Sequence, residues 1–501
     1  MNDKSYDVIV VGAGNAALCA ALAAREQGAS ALVLERAPQA ERGGNTTYAG
    51  GGLLMVHHGL EDIRKFVPDL TQEEIANTDF GEYTTEQYLD LIGRMTEYRI
   101  DPDLAETLVR RSTDTVEWIR RKGIRFVPMY GINSFKQQGR TKFFGGLVIS
   151  VSGGGQGLIA GQIKAAEKLG VAIRYNARAT SLLHGQRGVE GIGMTVDRIE
   201  QEIRAPAVVL ACGGFEANRE WRARYLGPGW DLAKVRGTRY NTGDGLRMAL
   251  AIGAQPYGHW SGVQATPWDL NAPESAGDLV VGDGYHRRSY PLGIMLNKNG
   301  VRFLDEGADF ANYNFGKYGR IILEQPGHAA WQIFDSKVLH LLNKAYRIRQ
   351  AAKVTADSLE ELVGKIDGVN KQQPLKTVKE YNAAVKRDVP FDPTRKDGRG
   401  TESLAIPKSN WASTIDTPPF EAYGVTCGIT FTFGGLKITP QAEVVDIEEK
   451  PIPGLYAAGE MVGGIFYFNF HGVGAGLTCG AVMGRVAGEN AAHYAARRQS
   501  Q

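Results

Sequence analysis

Residues 7–36 read DVIVVGAGNAALCAALAAREQGASALVLER. Asp7–Val11 is a short, β-branched apolar run, the pattern of a strand buried on both faces. Gly12, Gly14 and Ala17 follow as G-x-G-x-x-A, helix-forming composition continues to Gly28, and a second strand pattern ends at Glu35. Each part has a physical use. Gly12 permits a tight turn, and Gly14 lets a pyrophosphate approach the backbone, with Asn15 and Ala16 completing the turn. Ala17 is small enough for the helix to pack on the strand, and the helix start offers free N–H groups and partial positive charge. Glu35, about 20 residues on, is placed to accept hydrogen bonds from ribose hydroxyls. This order of elements predicts a dinucleotide-binding βαβ unit.

A second Gly-rich stretch, ERGGNTTYAGGG (Glu41–Gly52), follows almost at once. It points to a flavin, whose ring lies far from the adenine and needs a backbone bed of its own. ARATSLL (177–183) and APAVVLACGGFEAN (205–218) read as a strand of the same sheet entered late in the chain. PIPGLYAAGEMVGG (451–464) reads as a further strand, with Glu460 at its end facing a ribityl chain. SGGGQGL (152–158) shows no preceding strand and no terminal acid, so no nicotinamide site is read there.

The remaining totals are those of a globular protein. The chain has 501 residues, 43% hydrophobic and 22% charged, enough for a large core and two or three domains. A net charge of +2 gives no field that calls for nucleic acid or an anionic membrane. Cys19, Cys212, Cys427 and Cys479 are scattered, with no metal-binding spacing, and suit a reducing compartment. No signal peptide and no apolar run of transmembrane length is read, so a cytoplasmic protein is expected.

The stretches VIVVGAGNAALCAALAAREQGASALVLER, GGNTTYAGGG, VVLACGGF, NTGDGLRMALAIGAQ, NKNGVRFLDE, GLYAAGEMVGG and GVGAGLTCGAVMGRVAG span nearly the whole chain. Together they resemble the fumarate reductase/succinate dehydrogenase flavoprotein superfamily. YGHW, FLDEGADFANYNFGKYGR and ITFTFGGLKI most resemble its FAD-dependent tricarballylate dehydrogenase branch. The resemblance implies an α/β fold: a discontinuous Rossmann-like FAD-binding domain (1–253, with a helical insert at about 56–140, and 417–501) and an inserted α+β capping domain (254–416). The Pro- and Ser-punctuated segment 402–420 suits such a boundary. DPDLAETLVRRSTDTVEWIRRKG reads as a helix capped by Asp101 or Asp103 and ended by Gly123.

The resemblance also implies how FAD would be held. Members with covalent flavin carry a histidine where this chain has Asn45, so FAD is expected to be non-covalent. Arg36, Gly44, Thr46 and Gly52 would line the path from adenosine to flavin. Ala179 would meet the adenine through its backbone, and Ala211, Gly213, Asp244 and Gly459 would lie near the cofactor. Ala475, Gly476 and Leu477 begin a C-terminal helix whose positive end would face the reduced ring.

The implied reaction dehydrogenates, or reduces, a carbon–carbon bond beside a carboxylate or carbonyl. It needs a hydride acceptor, a base and a polarising group. Here the chain departs from the family pattern. The family's proton-transfer arginine stands eight residues past the Arg of RFxxE, and counting from Arg302 reaches Phe310. The substrate histidine before GG is Phe431, and the carboxylate-gripping arginine is Phe470 or His471. Losing cationic anchors and gaining phenylalanines suits a bulkier substrate than a small dicarboxylate. An alternative is a cyclic-ketone or 3-ketosteroid type of dehydrogenase or ene-reductase, in which the Gly474 N–H would be the oxyanion donor. A second alternative is a non-catalytic flavin subunit or redox sensor.

His471, inside GIFYFNFHGVGAG, is the first candidate for proton transfer, with Tyr313, Tyr318 and Arg320 behind it. His259, Tyr467, Arg287 and Arg288 are further substrate-side candidates, and Arg302 is expected to pair with Glu306 or Asp305. Electrons would pass to a separate protein, quinone or oxygen.

Overall fold

The computed structural model describes residues 5–130, 134–137, 139–275, 279–366 and 368–500. The chain divides into two compact units. The first comprises Met1–Leu226, Gly237–Gly262 and Phe431–Gln501, and the second Gly227–Arg236 and Val263–Thr430.

The first unit is built around a six-stranded sheet. Strand β1 (Val8–Val11) lies at its centre, with helix α1 (Asn15–Glu26) leading to β2 (Ala31–Leu34). Strand Ala172–Arg174 extends the sheet beyond β2. On the other side of β1 come Ala207–Leu210, Pro451–Ala457 and, antiparallel at the edge, Glu443–Val445. The strands nearest the centre are buried along their whole length, as their unbroken aliphatic runs require. Sequence-distant strands flank β1 on one side and β2 on the other, which makes its carboxyl end the switch point where α/β sheets bind ligands.

The C-terminal helix, Ala475–Gln499, packs along α1 in the same direction. Contact is very close: a Cβ at Gly484 would sit 2.2 Å from Ala16 O, and one at Gly488 2.1 Å from Ala20 O. The GxxxG spacing thus lets two helices present their positive ends at the same edge of the sheet.

Two expectations are corrected in this unit. Ala177–Gly185 does not join the main sheet. It pairs antiparallel with Gly188–Val196, which pairs with Ile199–Arg204 in a separate three-stranded sheet. Its alternation of buried and exposed residues is that of a half-solvated antiparallel strand. Second, a strand does precede SGGGQGL: Ile149–Val151 leads into helix Gly154–Lys168. That strand pairs antiparallel with Gly52–Leu53 and Phe126–Pro128, outside the parallel sheet. The helix of the insert spans Pro102–Arg121, and Asp101 is its cap, accepting the N–H groups of Asp103 and Leu104.

The second unit is a mixed sheet with helices. Residues 420–430 of the long strand Phe420–Leu436 pair parallel with Lys234–Val235 and antiparallel with Ala329–Phe334 and Lys353–Ala356; Ile294–Asn297 pairs with Ala329–Phe334. Helices Ala311–Leu323 and Gln373–Ala384 complete it. Arg302 grips Glu306 with two nitrogens (3.1 and 2.5 Å) in its interior, as the sequence suggests. Among the described residues no helix is long and apolar enough to cross a membrane.

Candidate functional site

Beyond the carboxyl end of β1 the chain turns at Gly12, with φ +104°, and a Cβ there would lie 2.5 Å from Ala211 O. Glycine is required by the protein itself. Gly14 is different. Its φ of −77° is open to any residue, and a Cβ would meet nothing nearer than Gly43 O at 3.6 Å. Nothing within the chain demands glycine at 14, whereas close approach by a pyrophosphate does.

Asn15 binds the surrounding elements together. Its N–H donates to Thr46 Oγ1 (3.2 Å), its amide nitrogen to Leu477 O (2.8 Å), and its amide oxygen accepts from Gln162 (2.8 Å). One side chain thus fixes the first Gly-rich turn against the second loop and the start of the C-terminal helix. A Cβ on Gly459 would touch Ala16 at 2.9 Å, so the end of strand Pro451–Ala457 reaches the same place.

The Glu35 carboxylate accepts the Ala13 N–H (2.9 Å) and the Ala37 N–H (2.8 Å). Burial pushes its pKa up, and these amides with Arg36 pull against that. Arg36 donates to Thr242 and Asp244, and Arg178 holds Asp244 through two nitrogens at 2.9 Å. Burial raises the Asp244 pKa, but Arg178, Arg36 and Arg247 outweigh it and leave the carboxylate below its usual range. Asp244 is therefore engaged by arginines. Ala179 is buried in strand Ala177–Gly185, beside a break in its register.

A group that sequence reasoning missed lies behind the second loop. Asn45 donates to Glu216 Oε1 (2.7 Å) and accepts the Thr238 N–H (2.9 Å), while Asn241 donates to the same Glu216 oxygen at 2.6 Å. Glu460 accepts the Thr432 N–H (2.7 Å) and hydroxyl (3.0 Å). Glu216 and Glu460 face one another, and burial pushes both pKa values up; for Glu460 the neighbouring Glu216 adds to the shift. Two buried carboxyls this close disfavour one another's ionisation, so the pair titrates above the usual carboxylate range. Glu460 thus turns to Glu216 and Thr432. The glutamate of CGGFEAN was the available signal for Glu216, but its partner lies on a distant strand.

Phe431, Phe433, Phe466 and Phe470 form a wall, with Phe466 stacked on Phe470 (centroids 5.0 Å apart) and edge-on to Phe431 (5.0 Å). His471 lies against Phe466 at 4.6 Å and is fully buried. Among the described residues, neither of its ring nitrogens meets a partner at hydrogen-bonding geometry. Burial pushes its pKa down to about 3 against the opposing pull of the Ile465 backbone. The ring is neutral at physiological pH, with a proton on one nitrogen and a lone pair on the other. A Cβ on Gly476 would meet Phe470 at 3.1 Å, and one on Gly474 would meet Leu54 N at 2.8 Å. The wall and His471 thus stand at the start of the C-terminal helix, where its positive end is directed. His259 stacks on Tyr467 (5.9 Å), and its Nδ1 accepts the Phe468 N–H at 3.1 Å.

The other candidates belong to the second unit. Tyr318 is a core residue whose hydroxyl donates to Asp305 O (2.6 Å), and burial pushes its pKa far up; that hydroxyl is already committed. Arg320 is exposed and lies over Trp230 (5.8 Å). Phe310 precedes helix Ala311–Leu323 and packs on Trp411 (5.1 Å), and Tyr313 is half-buried in the first turn of that helix.

The residues of the first unit fit FAD on two counts: a glycine at 14 that the protein does not need, and a buried acid after β2. They define a flavin-dependent oxidoreductase. Residues 7–477 match the FAD binding domain family. A probable fumarate reductase, Ifc3, of Shewanella frigidimarina is 31% identical over 511 residues, which cover 98% of this chain and 76% of the relative. The 4-oxocyclohexanecarboxylate 2-dehydrogenase of Sinomonas cyclohexanicum is 26% identical, over 98% of this chain and 94% of the relative. The open conformation of a flavocytochrome c3 fumarate reductase superposes with a TM-score of 0.75 at 28% identity, covering 98% of this chain and 79% of that one. The chain belongs to the fumarate reductase/succinate dehydrogenase flavoprotein superfamily, as an FAD-dependent oxidoreductase acting on carbon–carbon bonds.

Proposed function

We propose that the protein dehydrogenates, or in reverse reduces, a carbon–carbon bond beside a carboxylate or carbonyl of a substrate larger than succinate, as the tricarballylate dehydrogenase branch does. The observation that carries this reading is His471: buried, neutral and without a hydrogen-bond partner, beside a wall of phenylalanines at the start of the C-terminal helix. When bound, FAD supplies a two-electron hydride acceptor. The substrate loses that hydride from one carbon and a proton from its neighbour, and a C=C bond forms. The lone pair of His471 takes the proton, or its N–H holds the carbonyl oxygen while the α-hydrogen becomes acidic. Phe431 and Phe466 exclude water, which strengthens every polar contact made there. The electrons then leave to a separate protein, quinone or oxygen. We place the protein in the cytoplasm on the strength of its scattered thiols.

The cyclic-ketone reading is favoured by one specific observation, the phenylalanine wall, and by the relative that acts on an oxocyclohexanecarboxylate. Anaerobic titration of the yellow enzyme separates the readings. Propane-1,2,3-tricarboxylate, 4-oxocyclohexanecarboxylate, 3-ketosteroids, succinate and fumarate would each be tested, the last with chemically reduced enzyme. We expect one of the larger compounds to bleach the flavin, and turnover of succinate and fumarate to stay below the usual enzymatic range of about 1–1000 per second. Rapid turnover of either small acid refutes the assignment. Because Asn45 cannot form the tether, acid precipitation should leave the yellow colour in the supernatant.

A further inference from the structure

Arg287 and Arg288 are consecutive, yet the second unit holds them unequally. Arg287 makes four hydrogen bonds, and its Nη2, although beside Asp269, lacks hydrogen-bonding geometry. It contacts the Asp269 carboxylate through Nε (2.9 Å) and Nη2 (2.7 Å), and Nη1 donates to the carbonyls of Gly284, His286 and Ala345 at 2.9–3.0 Å. This buried pair is architectural. Among the described residues, Arg288 Nε has no hydrogen-bond partner. Its Nη2 stands 3.8 Å from Asp283 Oδ2, beyond hydrogen-bonding distance, and its guanidinium lies 4.0 Å from the centroid of Phe315.

Asp283 cannot serve Arg288 better, because Arg236 already holds it. Arg236 meets Asp283 Oδ1 with Nε (2.7 Å) and Nη2 (2.6 Å), and its Nη1 donates to Thr430. His286 Nδ1 is 3.4 Å from the other oxygen of Asp283. Burial lowers the His286 pKa despite Asp283, and Tyr290 and Tyr346, which also face the cluster, are neutral phenols. Among the described residues, two arginines against one aspartate leave a single uncompensated positive charge. Burial and Arg236 push the Arg288 pKa down to about 10 against the pull of Asp283, the sign of a cation short of counter-charge.

Among the described residues, two other buried donors of this unit are also without a partner. The Trp268 ring lies 5.6 Å from the Arg236 guanidinium, and its Nε1–H has no partner although the residue is 2% exposed. Thr266 is two residues away on the same strand, hence on the same face, and its buried hydroxyl is likewise unpartnered. That strand meets the helix carrying Phe315 at Gly319, where a Cβ would lie 2.5 Å from the Ala265 backbone. Buried donors without acceptors are costly unless a ligand engages them.

We propose that Arg288, backed by Arg236, forms a binding site for one carboxylate of a small organic acid, with Nε and an adjacent Nη taking the two oxygens side by side. The planar edge of a guanidinium matches a carboxylate in this way. One excess positive charge balances one carboxylate, whereas a phosphate dianion would leave the cluster negative. Identifying the acid as the substrate rests on the reading proposed above; the site itself rests on the side chains just described. It would replace the anchor lost at Phe310 with arginines that the RFxxE landmark does not mark.

Calorimetric titration of the FAD-loaded protein tests this. The ligands are 4-oxocyclohexanecarboxylate, its carboxamide, propane-1,2,3-tricarboxylate and inorganic phosphate. The acids should bind, and the carboxamide should bind at least about tenfold more weakly, the loss of a charge-assisted pair of hydrogen bonds. Arg288→Gln should weaken the acids by a similar factor and leave the carboxamide unchanged, with Arg288→Lys in between. Equal binding of acid and carboxamide in the unmodified protein overturns the site without any variant. So does phosphate binding as tightly as the acids, failure of both acids to bind, or full acid affinity in a folded Arg288→Gln protein. An acid that binds with the predicted preference but never bleaches the flavin keeps the site and removes the reaction reading. Bleaching by acid and carboxamide alike does the reverse.

Discussion

His471 is a fully buried imidazole and His286 a half-buried one, both with pKa values below that of a free histidine, but their surroundings share little. Phenylalanine rings and a backbone turn surround His471, and no carboxylate helps to keep a proton on it. His286 sits beside Asp283, in a cluster that already holds two guanidinium groups. The first unit therefore keeps its imidazole neutral by excluding charge. The second keeps its imidazole neutral while storing charge around it. A neutral, unpartnered ring is fitted to move a proton, and a buried excess cation is fitted to hold an anion. The two units thus use burial for different purposes.

The most severe way to break this contrast is to remove the His471 nitrogens. If the ring transfers the α-proton or binds the carbonyl, His471→Ala should lower turnover by roughly 10²–10⁴-fold while FAD remains bound. His471→Phe keeps the bulk and deletes the nitrogens. Near-normal turnover in the phenylalanine variant would make His471 a member of the wall. Tyr318 would be a poor replacement, because its hydroxyl is engaged by Asp305.

Next in size is Glu35→Ala. A charge-assisted acceptor for ribose is worth about 1.5–3 kcal/mol, so FAD should bind roughly ten- to a hundredfold more weakly in a folded protein. The carboxylate also accepts the Ala13 and Ala37 N–H groups, and Glu35→Gln, which keeps one acceptor oxygen, should fall between. Unchanged flavin affinity in both variants would confine Glu35 to bracing the turn.

The pH dependence of stability sharpens the comparison further. The folded pKa of His471 lies near 3, below the value in the unfolded chain. Its contribution is complete above about pH 6.5 and is lost as pH falls toward 3, by up to about 1.4 kcal/mol per pH unit. Glu460 has the opposite sign. Its folded pKa is raised, so its contribution is complete below about pH 4.5 and is lost as pH climbs through the folded value. Melting curves from pH 4.5 to 8 should show the acid-side loss shrink in His471→Phe and the alkaline-side loss shrink in Glu460→Gln. A His471→Phe protein with the unaltered acid limb would mean that its imidazole is not held neutral by burial.

Local pattern explains what could be read from residues alone. β1, α1 and β2 were legible because a strand buried on both faces needs an unbroken aliphatic run, and the turn between strand and helix needs Gly12. Ala177–Gly185 was assigned to the wrong sheet because its residues specify a strand but not its neighbours. The strand before SGGGQGL was missed because three residues carry too little periodicity. At the site, His471, Phe466 and Phe470 were adjacent in sequence and therefore visible. The Glu216–Glu460 pair and the Arg236–Asp283–Arg288 cluster join residues from separate strands and turns, and charge balance cannot be counted before the fold brings them together. Which of two neighbouring arginines was spare depended wholly on that packing.

The smallest expected effect separates a glycine that the chain needs from one that its ligand needs. Gly12→Ala places a side chain at φ +104° and 2.5 Å from Ala211 O, so it should cost at least roughly 1–3 kcal/mol of stability whether or not FAD is present. Gly14→Ala meets only ordinary contacts, the nearest at 3.6 Å, with a backbone that alanine adopts freely. Its cost should be about 0.5–1 kcal/mol, that of alanine at the cap of a helix. The methyl group would nonetheless stand where a pyrophosphate has to approach the backbone, so FAD should bind more weakly while the unfolding curve of the FAD-stripped chain barely moves. The two readouts together decide the matter. If Gly14→Ala unfolds the stripped chain as readily as Gly12→Ala, the protein itself required that glycine. If FAD affinity survives, the pyrophosphate does not pass over Gly14, and the case for the phosphate bed must rest on the helix starts at Asn15 and Ala475 alone.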